Sequence, residues 1–394
     1  MTGKPVRIGW SVAVSLALML VSVAAGDAAA RPAIVGASST AQTASSTGPP
    51  APRWRSIAPA PIDGRISAGV VWTGDEMLVW GGVTRGDAIA VNRDGAAYDP
   101  VTGTWRRIRN APAGVRGGGG SAAAWTGELA IFWAGNSPDG PARGAVYDPA
   151  GDAWRKLPEG PLGPREGYAS AWTGDELLIV GGTLGDGFAT PVAAAVTPEG
   201  HWRALPALNA MRALIPSGVV WDGDRAYITG LWFHCPELGS SCTDADWVVL
   251  AYDPATDALE TLDVPTTPLG LRVVGWTGRE VAFVTGGTRS RIFLYDPATD
   301  AWRSGGRGRC ALARGGQQAW LGDRLVQACE GRRLQLYDTR TDAWSVIRAG
   351  DSPFNRFTGS AIAWTGRRLI AWSGVAFRRF NPTPNVGARI TLRS

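Results

Sequence analysis

The sequence is poor in lysine and histidine, with two residues of each type: Lys4, Lys156, His201 and His234. So few histidines give a Ser-His-Asp catalytic triad little support. Positive charge therefore comes almost entirely from arginine. Lys and Arg exceed Asp and Glu by 39 to 34, but no basic run occurs, so we do not predict nucleic-acid binding. A hydrophobic content of 45% excludes a wholly disordered chain.

Long apolar segments are also scarce, and the one that occurs lies at residues 9–25. Lys4 and Arg7 precede it and small residues follow it, as in a secretory signal peptide cleaved after Ala25 or Ala30. No cysteine lies near that point, which argues against a lipoprotein anchor. An uncleaved membrane anchor is the alternative, although the segment is at the short limit for spanning a bilayer. We predict a secreted protein that is not inserted in a membrane after cleavage.

The chain divides into three predicted parts. Residues 1–30 are expected to form the signal peptide. Residues 31–53 consist mainly of Ala, Ser, Thr and Pro with little to bury, so we expect a disordered linker. Residues 54–394 are expected to form one folded domain. The 53 glycines and 27 prolines of the chain have no Gly-X-Y period, which excludes collagen and implies many turns.

The 19 tryptophans reveal an internal repeat. Seven of them stand just before a polar turn, at intervals of 44 to 55 residues. Most are followed by Thr-Gly and a charged residue, and then by an apolar run that often ends in Gly-Gly, as at Gly81-Gly82. A register kept this closely indicates structural repetition. The seven turn tryptophans are Trp72, Trp125, Trp172, Trp221, Trp276, Trp320 and Trp364.

Five of the seven units have a second landmark, a Tyr-Asp pair that is usually followed by another tryptophan. This pattern predicts a strand, a turn and a strand, because Asp and Pro favour turns. The apolar runs before it predict a hairpin, so each unit has four strands, and no segment has a convincing helical period. The pairs are Tyr98-Asp99, Tyr147-Asp148, Tyr252-Asp253, Tyr295-Asp296 and Tyr337-Asp338, and the tryptophans after them include Trp105, Trp154, Trp302 and Trp344.

In its Gly-Gly doublet, Tyr-Asp pair and spaced tryptophans, the unit resembles the Kelch repeat. The resemblance covers residues 54–394 and implies a β-propeller like the central domain of galactose oxidase-like proteins. The copper site of that family needs two histidine and two tyrosine ligands, whereas this chain has only His201 and His234. We therefore predict no copper or other metal site and no cofactor, and we assign no catalytic residue.

The number of units predicts how the ring closes. Residues 54–394 hold seven units of about 49 residues, which predicts an all-β, seven-bladed propeller of four-stranded antiparallel blades. The seventh unit lacks an outer strand after Trp364, whereas the segment Trp54-Arg55-Ser56-Ile57 supplies one before the first unit. Pairing of this N-terminal strand near Trp54 with the last blade would remove exposed sheet edges.

Cysteine is rare, with four residues, and its placement suits a secreted domain. Cys235 and Cys242 lie in one long insertion, while Cys310 and Cys329 lie where the first strand of a blade starts and its second strand ends. We predict disulfides 235–242 and 310–329, although four cysteines allow three connectivities. A metal site is the weaker alternative, since only His234 lies near a cysteine.

Every unit has an arginine shortly before or within its first strand. If several surround the mouth of a central channel, their positive potential would suit carboxylate, phosphate or sulfate groups. The alternative is structural, because Kelch repeats often carry an arginine near this point for packing and hydrogen bonds. The seven are Arg65, Arg116, Arg165, Arg212, Arg272, Arg314 and Arg356.

The insertion in the fourth unit is the second candidate site, because long loops on propellers often carry specificity. Trp232 would stack on a sugar ring if it is exposed, or pack inward if the loop is only structural. We therefore expect a monomeric binding module for a glycan, an anionic small molecule or a protein. The rival hypothesis is a metal-independent carbohydrate-active enzyme, such as a mutarotase, lyase or hydrolase, that uses arginines and carboxylates at the same face.

Overall fold

The computed structural model describes most of the chain after the predicted linker. Within it, the unit Ala51–Ser394 is one compact body. The predicted signal peptide lies outside the described residues, as does the predicted linker apart from its last two positions. The described residues are 52–85, 89–118, 120–135, 143–185, 189–209, 213–234, 244–265, 270–287, 289–313, 317–376 and 383–392.

The described residues form seven four-stranded antiparallel sheets, which confirms the predicted seven-bladed propeller. Within each blade the strands are counted from the centre of the ring outward. The first strands of the chain include those of blades 1 and 2, and they are β1 (Arg55–Ile57), β2 (Gly69–Trp72), β3 (Met77–Trp80), β4 (Val83–Arg85), β5 (Ile89–Val91), β6 (Gly95–Asp99), β7 (Thr104–Ile108), β8 (Ser121–Trp125), β9 (Ala130–Ala134), β10 (Arg143–Asp148) and β11 (Ala153–Lys156).

Blade 1 has the order β2-β3-β6-β7, and blade 2 has the order β8-β9-β10-β11. Blades 3 and 4 follow, with one helical turn between them. Their elements are β12 (Arg165–Glu166), β13 (Ala169–Trp172), β14 (Leu177–Val180), β15 (Thr183–Leu184), β16 (Ala194–Val196), β17 (Trp202–Ala204), α1 (Pro206–Asn209), β18 (Leu214–Trp221), β19 (Ala226–His234), β20 (Asp244–Asp253) and β21 (Ala258–Thr261).

Blade 3 has the order β13-β14-β16-β17, and blade 4 has the order β18-β19-β20-β21. The remaining elements build blades 5 to 7. They are β22 (Arg272–Trp276), β23 (Val281–Val284), β24 (Arg291–Asp296), β25 (Ala301–Arg307), β26 (Gln318–Trp320), β27 (Arg324–Cys329), β28 (Arg333–Asp338), β29 (Ala343–Arg348), α2 (Pro353–Arg356), β30 (Phe357–Thr358), β31 (Ala361–Trp364), β32 (Arg368–Trp372), β33 (Val375–Ala376) and β34 (Gly387–Thr391).

Blade 7 is built from both ends of the domain, as the sequence predicted. Its order is β31-β32-β34-β1, so β1 is the outermost strand of the last blade. The register pairs Arg55 with Arg389 and Ile57 with Gly387. Trp54 adds a further contact next to this strand, because its backbone N–H donates to the carbonyl oxygen of Ala349 at 2.9 Å. The N-terminal strand therefore closes the ring.

Antiparallel strands place the connections on two faces of the ring. We call the lower face the one with the turns after the first and third strands, which contain the Trp and Tyr-Asp landmarks. The upper face carries the loops between the second and third strands and the loops between blades. Three short sheets extend it, formed by β4 with β5, β12 with β15, and β30 with β33.

The tryptophans of the outer strands connect neighbouring blades. The Trp105 indole N–H donates to the carbonyl of Ala58 at 2.9 Å, and that of Trp202 donates to Pro158 at 3.0 Å. Trp154 and Trp344 make the same kind of bond to the outer strand of the preceding blade. An indole satisfies one polar group while its ring fills apolar space, which explains why the repeat retains tryptophan here.

The Tyr-Asp landmark is also structural. Asp99 accepts hydrogen bonds from the backbone N–H of Val101 at 2.6 Å and of Thr102 at 3.3 Å, and the bond from Val101 is the main cause of the lowered Asp99 pKa. Tyr147 donates its hydroxyl to Asp152 at 2.8 Å across the same type of turn. Asp152 has a φ of 45°, a left-handed conformation that aspartate tolerates, and its carboxylate accepts the hydrogen bond from the Tyr147 hydroxyl.

Cys310 and Cys329 form the predicted disulfide. Both side chains are buried, and the bridge joins the start of blade 6 to the end of its second strand. The other predicted pair, Cys235 with Cys242, lies outside the described residues.

Replacement of both bridged cysteines by alanine is expected to lower the free energy of unfolding by about 3 kcal/mol. The bridge spans a sequence separation of 19, and loop closure of that length restricts the unfolded chain by about this amount. Urea denaturation of the Cys310→Ala/Cys329→Ala variant measures the change. An unchanged midpoint and slope relative to the unsubstituted protein would contradict it.

Candidate ligand-binding face

Three arginines on the lower face form ion pairs with glutamates of their own blade. Arg106 and Glu76 form an ion pair at 2.6 Å, and Arg203 with Glu176 repeats it at the same distance two blades away. Arg303 and Glu280 form the third copy. In each copy a glutamate from the turn after the first strand accepts from an arginine of the fourth strand. The lower face therefore satisfies much of its charge internally.

Arg65, the first of the seven predicted site arginines, is buried beneath the upper face, with 1% of its side chain exposed. Its guanidinium donates to the carbonyl oxygen of Gly81 at 2.9 Å and to the Asp94 carboxylate at 2.8 Å. Its Nε donates to the carbonyl of Asp63 at 3.0 Å. Arg65 therefore holds loops of blade 1 together, as the structural alternative proposed.

Arg165 occupies the matching place in blade 3 and is also buried. Its guanidinium donates to the carbonyls of Gly181 at 3.2 Å and Val192 at 2.7 Å. Val192 thus stands where blade 1 has Asp94, and Arg165 has no carboxylate partner among the described residues. Burial lowers the pKa of Arg165 to about 10. Carbonyl oxygens alone hold this guanidinium.

Arg272 and Arg356 differ from this buried pair because solvent reaches both side chains. Arg272 begins the first strand of blade 5, and the protein around it is dense enough that dehydration lowers its pKa. A side chain in a concave opening is expected to combine contact with solvent and partial dehydration, because protein surrounds it on several sides. Arg356 ends the short helix α2, and its guanidinium lies 5.8 Å from the ring centroid of Phe357.

Of the other three predicted arginines, one lies within the described residues. Arg116 is half-buried and has interactions of its own on the upper face. Arg212 and Arg314 lie outside the described residues. The structure therefore places two of the seven arginines in buried structural positions and two in open positions.

Trp232 is half-buried and packs against the apolar cluster between blades 3 and 4. It belongs to strand β19 and lies opposite Leu214 and Asp246 in the sheet. Packing of the ring against this cluster matches the inward alternative. Its proposed stacking on a sugar stays a prediction, and the insertion that follows lies outside the described residues.

The lower face has a cavity of about 520 Å³ that the sequence did not predict. Trp276, Leu321 and Trp364 line it together with Arg324 and Arg340. Both arginines form ion pairs with Asp338, at 2.9 and 3.3 Å. The charged groups of this cavity are therefore already neutralised. The replacement of Thr by Leu321 after the turn tryptophan was the only signal in the sequence.

The described ranges contain neither a metal-binding cluster nor a membrane-spanning helix. There, no three side chains of His, Cys, Asp or Glu lie close enough together to hold a metal ion. In that part of the chain, no helix has both the length and the apolar character needed to cross a bilayer.

Comparisons with known proteins find no family model that matches the chain and no matching curated protein. The assignment of the fold therefore depends on strand order and register, which describe a seven-bladed β-propeller.

Proposed function

We propose that this chain is a secreted, Kelch-like propeller, similar to the galactose oxidase central domain without its copper site, that binds an anionic ligand on its upper face. The carrying observation is that two exposed arginines of the upper face lack, among the described residues, the carboxylate partners that other arginines of both faces have. Lower-face arginines such as Arg106 and Arg203 are paired with glutamates. Arg272 and Arg356 on the upper face have no carboxylate within ion-pair distance among the described residues.

Arginine suits such a ligand because its guanidinium offers parallel N–H donors to carboxylate, sulfate or phosphate oxygens. Dehydration of Arg272 favours the same chemistry, since an arriving anion would restore the solvation that burial removes. The ligand class that fits is a glycan with acidic groups or a small oxyanion, bound by a monomeric module.

Secretion is supported by two independent features. The basic and apolar pattern of residues 1–30 is typical of a signal peptide. The Cys310–Cys329 disulfide is compatible with an oxidising, extracellular location.

The binding proposal predicts that Arg272→Ala and Arg356→Ala each weaken binding at least about tenfold, because each removes a charge-assisted hydrogen-bond donor. A glycan array that includes uronate- and sulfate-bearing members identifies the ligand, and titration calorimetry then measures affinity. The matched control is Arg367→Ala, which removes an exposed arginine from a lower-face turn. Full affinity in both upper-face variants, or equal loss in the control, would count against the proposal.

A further inference from the structure

Two neighbouring blades each place two arginines directly opposite one another. In blade 5 the register pairs Arg291 with Arg307, and in blade 6 it pairs Arg333 with Arg348. Each pair joins the start of a third strand to the end of a fourth strand, so both lie at the upper edge. Like charges opposite each other across strands destabilise a sheet. A negative charge near each pair would therefore stabilise the sheet.

Two more arginines extend the pair of blade 5. The segments 289–291 and 307–309 lie side by side, because the Gly308 N–H donates to the Ser290 carbonyl at 2.8 Å. Arg289, Arg307 and Arg309 are exposed, while Arg291 is half-buried with its guanidinium 5.8 Å from the Phe293 ring centroid. Together these six residues form a surface that we call the arginine rim: Arg289, Arg291, Arg307, Arg309, Arg333 and Arg348.

A buried polar network fastens the two halves of the rim to each other. Ser290 of blade 5 donates its hydroxyl to Gln327 of blade 6 at 2.6 Å. The side-chain oxygen of Gln335 accepts from the backbone N–H of Cys310 at 3.2 Å. Cys310 is in turn bonded to Cys329, the register partner of Arg333. The arginines are therefore presented by a rigid junction between blades.

Acidic groups in the described part of the chain form no ion pair with the rim. Arg332 beside it pairs with Asp351 at 3.1 Å. Arg333 donates to the backbone carbonyl of Glu330 at 3.0 Å instead of to a carboxylate. Within the described ranges, none of the six rim arginines has a carboxylate within ion-pair distance. An external anion would relieve the repulsion, and any ligand that does so stabilises the fold.

We propose that the arginine rim binds a linear anionic polysaccharide through its uronate carboxylates or sulfates. A row of guanidinium groups across two blades suits repeated charges along a chain, and arginine binds both groups in bidentate geometry. Single-stranded nucleic acid fits less well, because it needs exposed aromatic rings for base stacking. In the described ranges no Phe, Tyr or Trp side chain is more than partly exposed. The rim lies on outer strands, apart from the first-strand residue Arg272, so this inference is independent of the proposed function.

The test compares two double variants with the same loss of charge. Arg307→Ser/Arg309→Ser removes two exposed rim arginines at the end of the fourth strand of blade 5. Arg107→Ser/Arg109→Ser removes two exposed arginines at the corresponding end of the fourth strand of blade 1. Affinities for heparin and polygalacturonate are measured at several salt concentrations, with oligodeoxythymidylate as the competing class and thermal melting as the check on folding.

The rim variant is expected to bind heparin or polygalacturonate about tenfold more weakly, with a shallower salt dependence, while the blade 1 variant keeps the original affinity. Binding of polygalacturonate, which carries only carboxylates, shows that carboxylates are sufficient, whereas binding of heparin alone indicates that sulfates are needed. Equal losses in both variants, no loss in the rim variant, or tighter binding of the oligonucleotide would overturn the inference. Loss of binding only in Arg272→Ala would overturn it while leaving the proposed function intact.

Discussion

Deletion of residues 54–58 is expected to lower the free energy of unfolding by more than about 4 kcal/mol, because it removes a half-buried tryptophan as well as a strand. Trp54 packs against Phe354 with 6.0 Å between ring centroids. Strand β1 covers the edge of β34, and Ala58 supplies the carbonyl that accepts the Trp105 indole N–H. The deletion therefore opens blade 7 and also weakens its contact with blade 1.

The matched control deletes residues 31–50, which the sequence predicts to be a disordered linker. We expect that deletion to leave the stability within about 0.5 kcal/mol, as is usual for changes away from packed groups. Thermal melting and urea denaturation of both variants provide the comparison. Equal stability of the two truncated proteins would contradict closure of the ring by the N-terminal strand.

The fold was predictable because its landmarks recur at fixed places. An outer-strand tryptophan such as Trp105 needs a carbonyl of the neighbouring blade, and a tyrosine such as Tyr147 needs the aspartate five residues later. Such pairs keep their spacing in the sequence because the distance between them is set by one turn. The disulfide was predictable for the same reason, since the ends of two adjacent strands meet.

The roles of the seven arginines were less predictable, because position along the chain does not determine burial. Arg65 and Arg165 both precede their turn tryptophan by seven residues, and both bind a glycine carbonyl of their own blade. The other five stand 9, 9, 4, 6 and 8 residues before theirs, so the seven-residue spacing was the available signal.

The arginine rim could not be predicted from composition or spacing. A register shift between Arg291 and Phe293 places Arg291 opposite Arg307, and no pattern in the sequence indicates that shift. Two short helices were missed as well, because four residues cannot show a helical period.

Arg65→Ala is expected to lower the free energy of unfolding by about 3 kcal/mol, since breaking a buried ion pair leaves its partners uncompensated. The variant would leave the Gly81 carbonyl without its donor and would leave the Asp94 carboxylate, 26% exposed, without its cation. Urea denaturation at neutral pH measures the loss.

The matched variant Asp94→Val copies blade 3, where Val192 stands at the corresponding place. We expect it to cost about 1 kcal/mol, roughly the value of one hydrogen bond. Arg165 shows that carbonyl oxygens alone hold a buried guanidinium. If carbonyl contacts secure the upper loops, Arg65→Ala is the more damaging change. If the two variants lose the same free energy of unfolding, the Asp94 carboxylate is the contact that stabilises these loops, and the carbonyl contacts are not.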